Sequence, residues 1–366
     1  MLPSLGSHHT PHTHLTLRIA RHTHARSTLP ATPQLSLLRQ QVKFLRLAGL
    51  APSSRQQYTA VQRLYVTFLS DIDMYHKRYD MDWVAREGLP LWAAHLALNR
   101  GIQASTIGRY INGAIRDFYL QRGYRNPARH NHIITSIIAA TRRRQPTENS
   151  RRKLAITPSI LRRIAETTDQ SNPKQVASMT AACFALFAAL RKSNVSTESA
   201  HGDETTHKAP RACDIWTTDN DTFIWIRLHH TKTIQFRERI LDIPIYVADD
   251  TPINALTWLR LHRTLSPPTH PSSHAFAYRR PNGTFTNLTH RDFIAFTKQS
   301  ITRIGLKATD YAGHSYRRGG ATHAARCHAP IHVLKTLGDW KSDAYLLYVE
   351  VAGSMLQTLA RDMASA

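Results

Sequence analysis

The run of residues 312–349 holds the side chains of this chain that are best suited to chemistry. His314 and Arg317 lie three residues apart, so on a helix they share one face. Trp340 and Tyr348 follow on a second short segment, and the run contains no set of metal ligands. An imidazole, a guanidinium, an indole N–H and a phenol can together bind a phosphate and attack it. The run therefore predicts phosphodiester chemistry through a tyrosine nucleophile.

Other residues are candidates for the same site, and each could instead have an ordinary structural role. Arg191 follows an apolar segment in AALRKSN, so its charge is either paired in a site or snorkels to the surface. Lys232, in HTKTIQ, lies at a predicted turn between strands, where an ordinary solvated lysine is the commoner occupant. Tyr345 is either a second candidate nucleophile or a core residue. Gly319 and Gly320 lack side chains, so another backbone or a nucleic acid strand can approach closely.

The charge balance indicates the kind of partner. Among 366 residues, 48 Lys and Arg stand against 25 Asp and Glu, which gives a formal net charge of +23. A large polyanion is the simplest partner, and nucleic acid is the commonest one. The alternative is a ribosomal or merely basic secreted protein. Cys183, Cys213 and Cys327 form no CxxC pair and no disulfide framework, which fits a reducing compartment.

Composition divides the chain into four segments. Residues 1–34, rich in His, Thr and Pro, are predicted to be a disordered basic tail, with a transit peptide as the alternative. A helical bundle is expected over 35–142, a linker over 143–156 and a second domain over 157–366. The longest apolar stretch, 177–190, is too short to cross a bilayer and predicts a buried helix.

Local signals predict the elements. Ser54 with Gln57 forms a capping box, Thr157 as N-cap with Pro158 starts the first helix of the second domain, and Thr289 with Asp292 caps a later helix. Residues 213–246 alternate in the manner of strands around a tight connection, TKTIQFRE. The fold class is therefore mainly α with a small antiparallel β-sheet. Further helices are expected over about 35–49, 89–99, 105–123, 131–141, 174–190, 252–263 and 289–304.

The order of the candidates is more specific than any one of them. An arginine, a lysine on a predicted β-hairpin, His-x-x-Arg in HSYRRGGAT, a tryptophan and then a tyrosine in GDWKSDAYLLYV resemble the tyrosine recombinase family, or phage-type integrases. Within the family the motifs are most similar to recombinases of eukaryotic Crypton and DIRS mobile elements. The resemblance implies an N-terminal helical core-binding bundle, and an α+β tyrosine recombinase catalytic domain over about 157–350.

The resemblance also implies a role for each residue. Arg191 and Arg317 match the two arginines that grip the scissile phosphate, and Lys232 matches the hairpin lysine that protonates the leaving 5′ oxygen. His314 matches the histidine that assists proton transfer. Trp340 matches the position held by His or Trp in the family, which hydrogen-bonds the phosphate. Tyr348 matches the nucleophile.

Two positions depart from the family pattern. Three residues after the first arginine the family often has an acidic residue, and this chain has Asn194, which can orient neighbours but supplies no charge. Trp340 also stands one residue nearer Tyr348 than is usual. Strict counting places Asp339, a poor phosphate ligand, in that position, so we assign it to Trp340 with a one-residue deletion.

The implied reaction is consistent with elementary chemistry. A phenol has an ordinary pKa of about 10, so it is a poor nucleophile at neutral pH unless cations favour its ionised form. Two guanidiniums and an imidazolium would do so, and would also stabilise a five-coordinate phosphorane. Attack yields a covalent 3′-phosphotyrosine. Because this link retains the bond energy, rejoining needs no metal, ATP or other cofactor.

The chain is thus expected to be an enzyme, a site-specific DNA recombinase or integrase. Its expected partners are double-stranded DNA and further copies of itself, as a dimer to tetramer on DNA, with no membrane. The final helix, 352–363, docks either on a neighbouring protomer or on its own domain. The expected location is nuclear in a eukaryote, and otherwise cytoplasmic with the nucleoid.

Three alternatives remain. Asn194 and the short Trp340–Tyr348 spacing motivate a domesticated protein that binds DNA without cleaving it. A type IB topoisomerase uses similar chemistry without strand exchange, but the small bundle and HSYRRGGAT favour a recombinase. A metal-dependent nuclease is disfavoured because the sequence has no carboxylate cluster.

Overall fold

A computed structural model describes residues 33–145, 152–201, 208–235, 238–349 and 353–365. The chain divides into two compact units, residues 1–147 and 148–366. It is mainly α-helical with a small antiparallel sheet, which confirms that part of the predicted fold class. The predicted tail lies outside the described residues except for its last two, with which the first helix begins. None of the described helices is both long and apolar enough to cross a membrane.

The first unit is helical throughout its regular structure. The predicted helices over 89–99, 105–123 and 131–141 are confirmed, although π-helical turns interrupt or precede two of them. The elements are α1 (Pro33–Ala48), α2 (Pro52–Asp71), α3 (Met81–Trp83), a π-helical segment (Val84–Gly88), α4 (Leu89–Leu98), α5 (Ala104–Arg109), a second π-helical segment (Tyr110–Ile115), α6 (Arg116–Leu120) and α7 (His132–Arg144).

Aromatic side chains organise the core of this unit. The Tyr65 ring packs edge-on against Trp92 with 5.1 Å between ring centroids. The hydroxyls of Tyr65 and Tyr119 lie 3.2 Å apart, and Tyr119 donates to the Arg78 carbonyl over 2.9 Å. Burial raises the pKa of Tyr65 to about 12, so the phenol is neutral. The buried phenols therefore satisfy one another while their rings fill the core.

The predicted capping box of Ser54 and Gln57 is wrong. Helix α2 begins at Pro52, with Ala51 as N-cap and no capping side chain. Proline already has a helical φ and needs no partner for a missing N–H, so the helix can start three residues earlier. At the other end of the unit, α7 reaches Arg144, inside the segment predicted as a linker.

The second unit contains the remaining regular elements. Two predicted N-caps are confirmed, since the hydroxyl of Thr157 accepts from the Ile160 N–H and that of Thr289 from the Asp292 N–H. The elements are α8 (Pro158–Glu166), α9 (Pro173–Phe187), β1 (Ile215–Thr217), β2 (Phe223–Leu228), β3 (Leu241–Tyr246), α10 (Ala255–Leu265), β4 (Tyr278–Arg279), β5 (Phe285–Thr286), α11 (His290–Arg303), α12 (His314–Arg326), α13 (Ile331–Leu337) and α14 (Gly353–Ser365).

The larger sheet has the antiparallel order β1–β2–β3. Ile224 faces Ile245 and Ile226 faces Ile243, and all four side chains are buried against the core. The predicted tight connection is wrong, because β2 and β3 are joined by a long segment, 229–240. This connecting segment is nevertheless anchored, since the side chain of Ile234 is fully buried in the core of the unit.

Helix α9 lies at the centre of the second unit, and nearly all its side chains are buried. It ends at Phe187, so the prediction that the helix reaches Leu190 and is closed by Arg191 is wrong. Ala189 takes a left-handed conformation with φ of 46°, which reverses the chain. Arg191 follows as the N-cap of a short 3₁₀ turn. No residue type in this alanine-rich stretch signals the left-handed turn, because alanine rarely adopts it.

Helix α12 approaches α9 very closely. A Cβ atom at Gly319 would lie 1.7 Å from the Ile156 carbonyl oxygen, and one at Gly320 would lie 2.0 Å from the Leu186 carbonyl oxygen. The two glycines therefore admit the protein's own backbone. The Ile156 N–H also donates to the Ser315 carbonyl over 3.0 Å, so the end of the predicted linker packs into the second unit.

Replacing Gly320 with alanine should destabilise the second unit by about 2 kcal/mol or more, because overpacking against a backbone carbonyl outweighs the gain in helix propensity. Gly108→Ala is the matched control, since only the Ile138 methyl, at 3.9 Å, is near its new Cβ. Calorimetric unfolding of the whole chain measures both. Equal melting temperatures for the two variants would contradict the close contact.

Candidate active site

The Arg317 guanidinium is the buried centre of the site. Its side chain, on α12, is only 2% exposed. One terminal nitrogen donates to the Ala189 carbonyl over 2.5 Å, and the other donates to the Gly338 carbonyl. Arg317 therefore ties the turn after α9 to the residue that follows α13. Its buried Nε–H has no hydrogen-bond partner among the described residues and could donate to an anion.

Two aromatic rings cover this guanidinium. The Arg317 Cζ atom lies 4.0 Å from the centroid of the Trp340 ring and 5.2 Å from that of Tyr348. The two rings lie 5.4 Å apart, and the His314 ring is 6.1 Å from Tyr348. Gly338 is required beneath Trp340, because a Cβ there would lie 1.8 Å from the indole. The two rings therefore shield the Arg317 guanidinium from solvent.

The two arginines carry incompletely compensated positive charge. Burial lowers the pKa of Arg191, and burial together with the Arg191 charge lowers the pKa of Arg317. Tyr348 and Asp339 oppose both shifts. Within the described part of the chain, the buried indole Nε1–H of Trp340 also lacks a hydrogen-bond partner. Paired cations and unsatisfied N–H donors together favour the binding of an oxyanion.

The surroundings of His314 favour its neutral form. Burial lowers its pKa, and the charges of Arg317, Arg191, Lys192 and Arg318 lower it further. These four neighbouring cations therefore disfavour the imidazolium that the sequence analysis expects. A neutral imidazole can instead accept a proton from the neighbouring phenol.

The two candidate tyrosines have different surroundings. Tyr345 is buried at 9% exposure in a small cluster with Ala189 and Leu334, and the Lys335 amine lies 5.5 Å from its ring centroid. Tyr348 is half-buried and faces Arg317 and His314. Of these two tyrosines, only Tyr348 therefore lies beside the Arg317 guanidinium and the His314 ring.

Lys232 is exposed at the tip of a closed turn. The Thr231 N–H donates to the Ile234 carbonyl over 3.1 Å, and the Ile234 N–H returns a bond to the Thr231 hydroxyl over 3.0 Å. Asn194 holds the preceding residue, because its amide donates to the His230 carbonyl over 3.0 Å. A carboxylate at Asn194 could not donate this bond, which accounts physically for the amide.

Asp339 is a functional candidate that the sequence reasoning set aside. Its carboxylate is 4% exposed and accepts hydrogen bonds from Thr231, Thr233 and Arg239. Strict counting from Tyr348 did point to this position, but its partners lie about a hundred residues away and have no sequence signal. Among the described residues, no group of three or more His, Cys, Asp or Glu could hold a metal ion.

Comparison with solved structures identifies the fold. The chain is similar to the XerH site-specific recombinase bound to palindromic difH substrate, in a post-cleavage complex, with a TM-score of 0.51 and 12% identity over 74% of this chain and 70% of that chain. The chain shares the fold of this recombinase. The chain is also similar to the Tn1549 transposon integrase in complex with circular intermediate DNA, with a TM-score of 0.46 and 12% identity over 75% of this chain and 83% of that chain. No protein-family model and no curated protein matches the sequence.

The His314 environment makes a prediction about pH. In an NMR titration its Cε1–H resonance, assigned by its loss in His314→Gln, should titrate below the ordinary value of about 6.5. Adding double-stranded DNA should raise the midpoint, because a phosphate supplies negative charge. An unfolded histidine binds its proton before the folded one, so the free energy of unfolding should fall as pH drops below about 6.5. A midpoint at or above that of free imidazole would contradict the site.

Proposed function

We propose that this chain is a site-specific DNA recombinase of the tyrosine type, which cuts and rejoins double-stranded DNA through a covalent 3′-phosphotyrosine at Tyr348. The observation that carries the proposal is the convergence of the Tyr348 phenol with a neutral His314 and the Arg191–Arg317 pair. A nucleophile, a proton acceptor and two phosphate-binding cations thus meet in one cluster.

Each group has a role in the proposed reaction. Arg191 and Arg317 bind the scissile phosphate, with the unpartnered Trp340 N–H as a further donor. The Tyr348 oxygen attacks phosphorus while its proton passes to His314. The bond from phosphorus to the 5′ oxygen breaks, and Lys232 protonates that oxygen. The cations stabilise the phosphorane charge, and a returning 5′ hydroxyl reverses the steps.

Charge and similarity support DNA as the substrate. The net charge is +23, and the XerH structure that shares the fold is a site-specific recombinase bound to its difH substrate. In the first unit, the exposed arginines available to phosphates include Arg55, Arg63, Arg109 and Arg116. We further propose a dimer to tetramer on DNA, an origin in a Crypton-type or DIRS-type mobile element, and action in the nucleus of a eukaryotic host.

Covalent capture tests the nucleophile. The whole chain, incubated in EDTA with a pool of nicked duplexes of random sequence, should form a protein–DNA adduct that withstands denaturation. Tyr348→Phe should abolish the adduct while DNA affinity stays nearly unchanged, because only the attacking oxygen is lost. Tyr345→Phe is the matched control and should retain the adduct. Gel electrophoresis and sequencing of the captured DNA give the yield and the cleaved site.

The outcomes separate the alternatives. Tight binding by the wild type without any adduct would favour a DNA-binding protein that no longer cleaves. Loss of the adduct in Tyr345→Phe alone would assign the nucleophile to Tyr345. An adduct with relaxation of supercoiled plasmid, but no recombinants between two copies of the captured site, would favour a topoisomerase.

Salt dependence tests the polyanion partner. Binding to a random-sequence duplex should weaken steeply with salt, because each neutralised phosphate contributes about 0.9 to the slope of log affinity against log salt. Changing Arg55, Arg63, Arg109 and Arg116 together to Gln should make the slope shallower. Lys77→Gln, whose amine already pairs with Asp80 at 3.3 Å, should change it less. A flat response of the wild type would contradict DNA as the partner.

A further inference from the structure

Asp339 has an unusual position for a carboxylate. It is buried beside a pair of arginines, directly before Trp340, and its backbone is left-handed with φ of 52°. Aspartate tolerates this conformation better than most residues, but the conformation still costs energy. Such a backbone persists where the surrounding contacts require it, so the contacts of the carboxylate identify what is being held.

The carboxylate is bound entirely from the segment that connects β2 and β3. The hydroxyls of Thr231 and Thr233 donate to Oδ2, and the Arg239 guanidinium donates to Oδ1. Burial raises the pKa of Asp339, but these three donors lower it by more, so the group is charged. One buried negative charge thus fastens both ends of the exposed turn that carries Lys232.

The same charge acts on the arginine pair. Asp339 attracts both Arg191 and Arg317, and in each case opposes the loss of the guanidinium proton. Its neighbour Gly338 supplies the carbonyl that Arg317 binds. The segment from Gly338 to Trp340 therefore contacts the phosphate-binding arginine on one side and the Lys232 turn on the other.

We propose that Asp339 is a positioning residue that fixes the Lys232 turn relative to the Arg191–Arg317 pair. This inference rests on the proposed function, because it requires Lys232 to protonate the leaving 5′ oxygen as the Tyr348 oxygen bonds to phosphorus. The lysine has a long flexible side chain. A fixed backbone at Lys232 reduces the conformations that its amine must lose before it can donate a proton to that oxygen.

An amide cannot replace this carboxylate. Asn at position 339 offers one acceptor oxygen in place of two, and its N–H₂ group would face donors. Either the Arg239 guanidinium or the pair of threonine hydroxyls would lose its acceptor oxygen at position 339. The turn would then be released, although Arg317 would keep its bonds to the Ala189 and Gly338 carbonyls. A defect in leaving-group protonation is therefore expected, rather than loss of phosphate binding.

The experiment compares two leaving groups. The site captured by the wild-type chain is synthesised as a nicked duplex with either oxygen or sulfur at the bridging 5′ position of the scissile phosphate. A thiolate is a far more stable leaving group than an alkoxide and needs no general acid. Lys232→Ala should slow adduct formation on the oxygen duplex on the order of 100-fold or more, with a rate near that of the wild type on the sulfur duplex.

Asp339→Asn should show the same pattern, with a loss on the order of 10-fold to 100-fold on oxygen and near-complete rescue by sulfur. Arg239→Gln, which leaves the carboxylate in place, should show a smaller loss with the same rescue. Asp343→Asn is the matched control, since this carboxylate on the same segment is exposed and pairs with Lys335, and it should cleave both duplexes normally. Melting temperatures verify that each variant folds.

The two proposals fail in distinguishable ways. If the wild type forms no adduct with either duplex, the proposed function fails and the inference with it. If the wild type forms an adduct but Asp339→Asn is equally slow on both duplexes, Asp339 acts through the arginines or the fold and the positioning role is overturned alone. Wild-type rates on both duplexes for Asp339→Asn and Arg239→Gln would overturn it as well.

Discussion

The burial of one guanidinium organises the second unit. Arg317 cannot remain charged away from water unless its N–H groups find acceptors, and two of those acceptors are carbonyls at chain reversals, Ala189 and Gly338. Three local features make this arrangement possible. They are the left-handed turn at Ala189, the close approach of α12 at Gly320, and the absence of a side chain at Gly338 beneath Trp340. The same contacts therefore pack the core and form the site, because the segments that hydrogen-bond Arg317 also place Trp340 and Tyr348 over its guanidinium.

A second buried charge extends the site to a distant part of the chain. Asp339 compensates the arginines and binds the segment between β2 and β3, so hydrogen bonds and the buried Ile234 side chain hold the turn around Lys232. The Asn194 amide holds the same segment through the His230 carbonyl. Asn194 and Asp339 thus both bind the segment between β2 and β3. Asn194 binds it as a neutral donor, and Asp339 binds it as a negatively charged acceptor.

Sequence reasoning succeeded where the determining interaction is local. The Thr157 and Thr289 caps and the alternation in β2 and β3 depend on residues a few positions apart, and the structure confirms them. It failed where a non-local contact or a rare backbone conformation decides the outcome. The end of α9 at Phe187, for example, depends on a left-handed alanine. The Ser54–Gln57 capping box is wrong for a local reason, because Pro52 begins helix α2 three residues before the predicted start.

The sequence by itself determined the types of the candidate residues, their order and the strongly positive charge, because composition and short-range spacing are written along the chain. Only the tertiary structure decided that Tyr348 faces the guanidinium of Arg317 while Tyr345 does not, that burial and cations lower the pKa of His314, and that Asp339 is bound by Thr231 and Arg239. These properties depend on burial and on charges contributed by segments about a hundred residues apart. Spacing along a chain cannot encode the dielectric surroundings or the distances that folding creates.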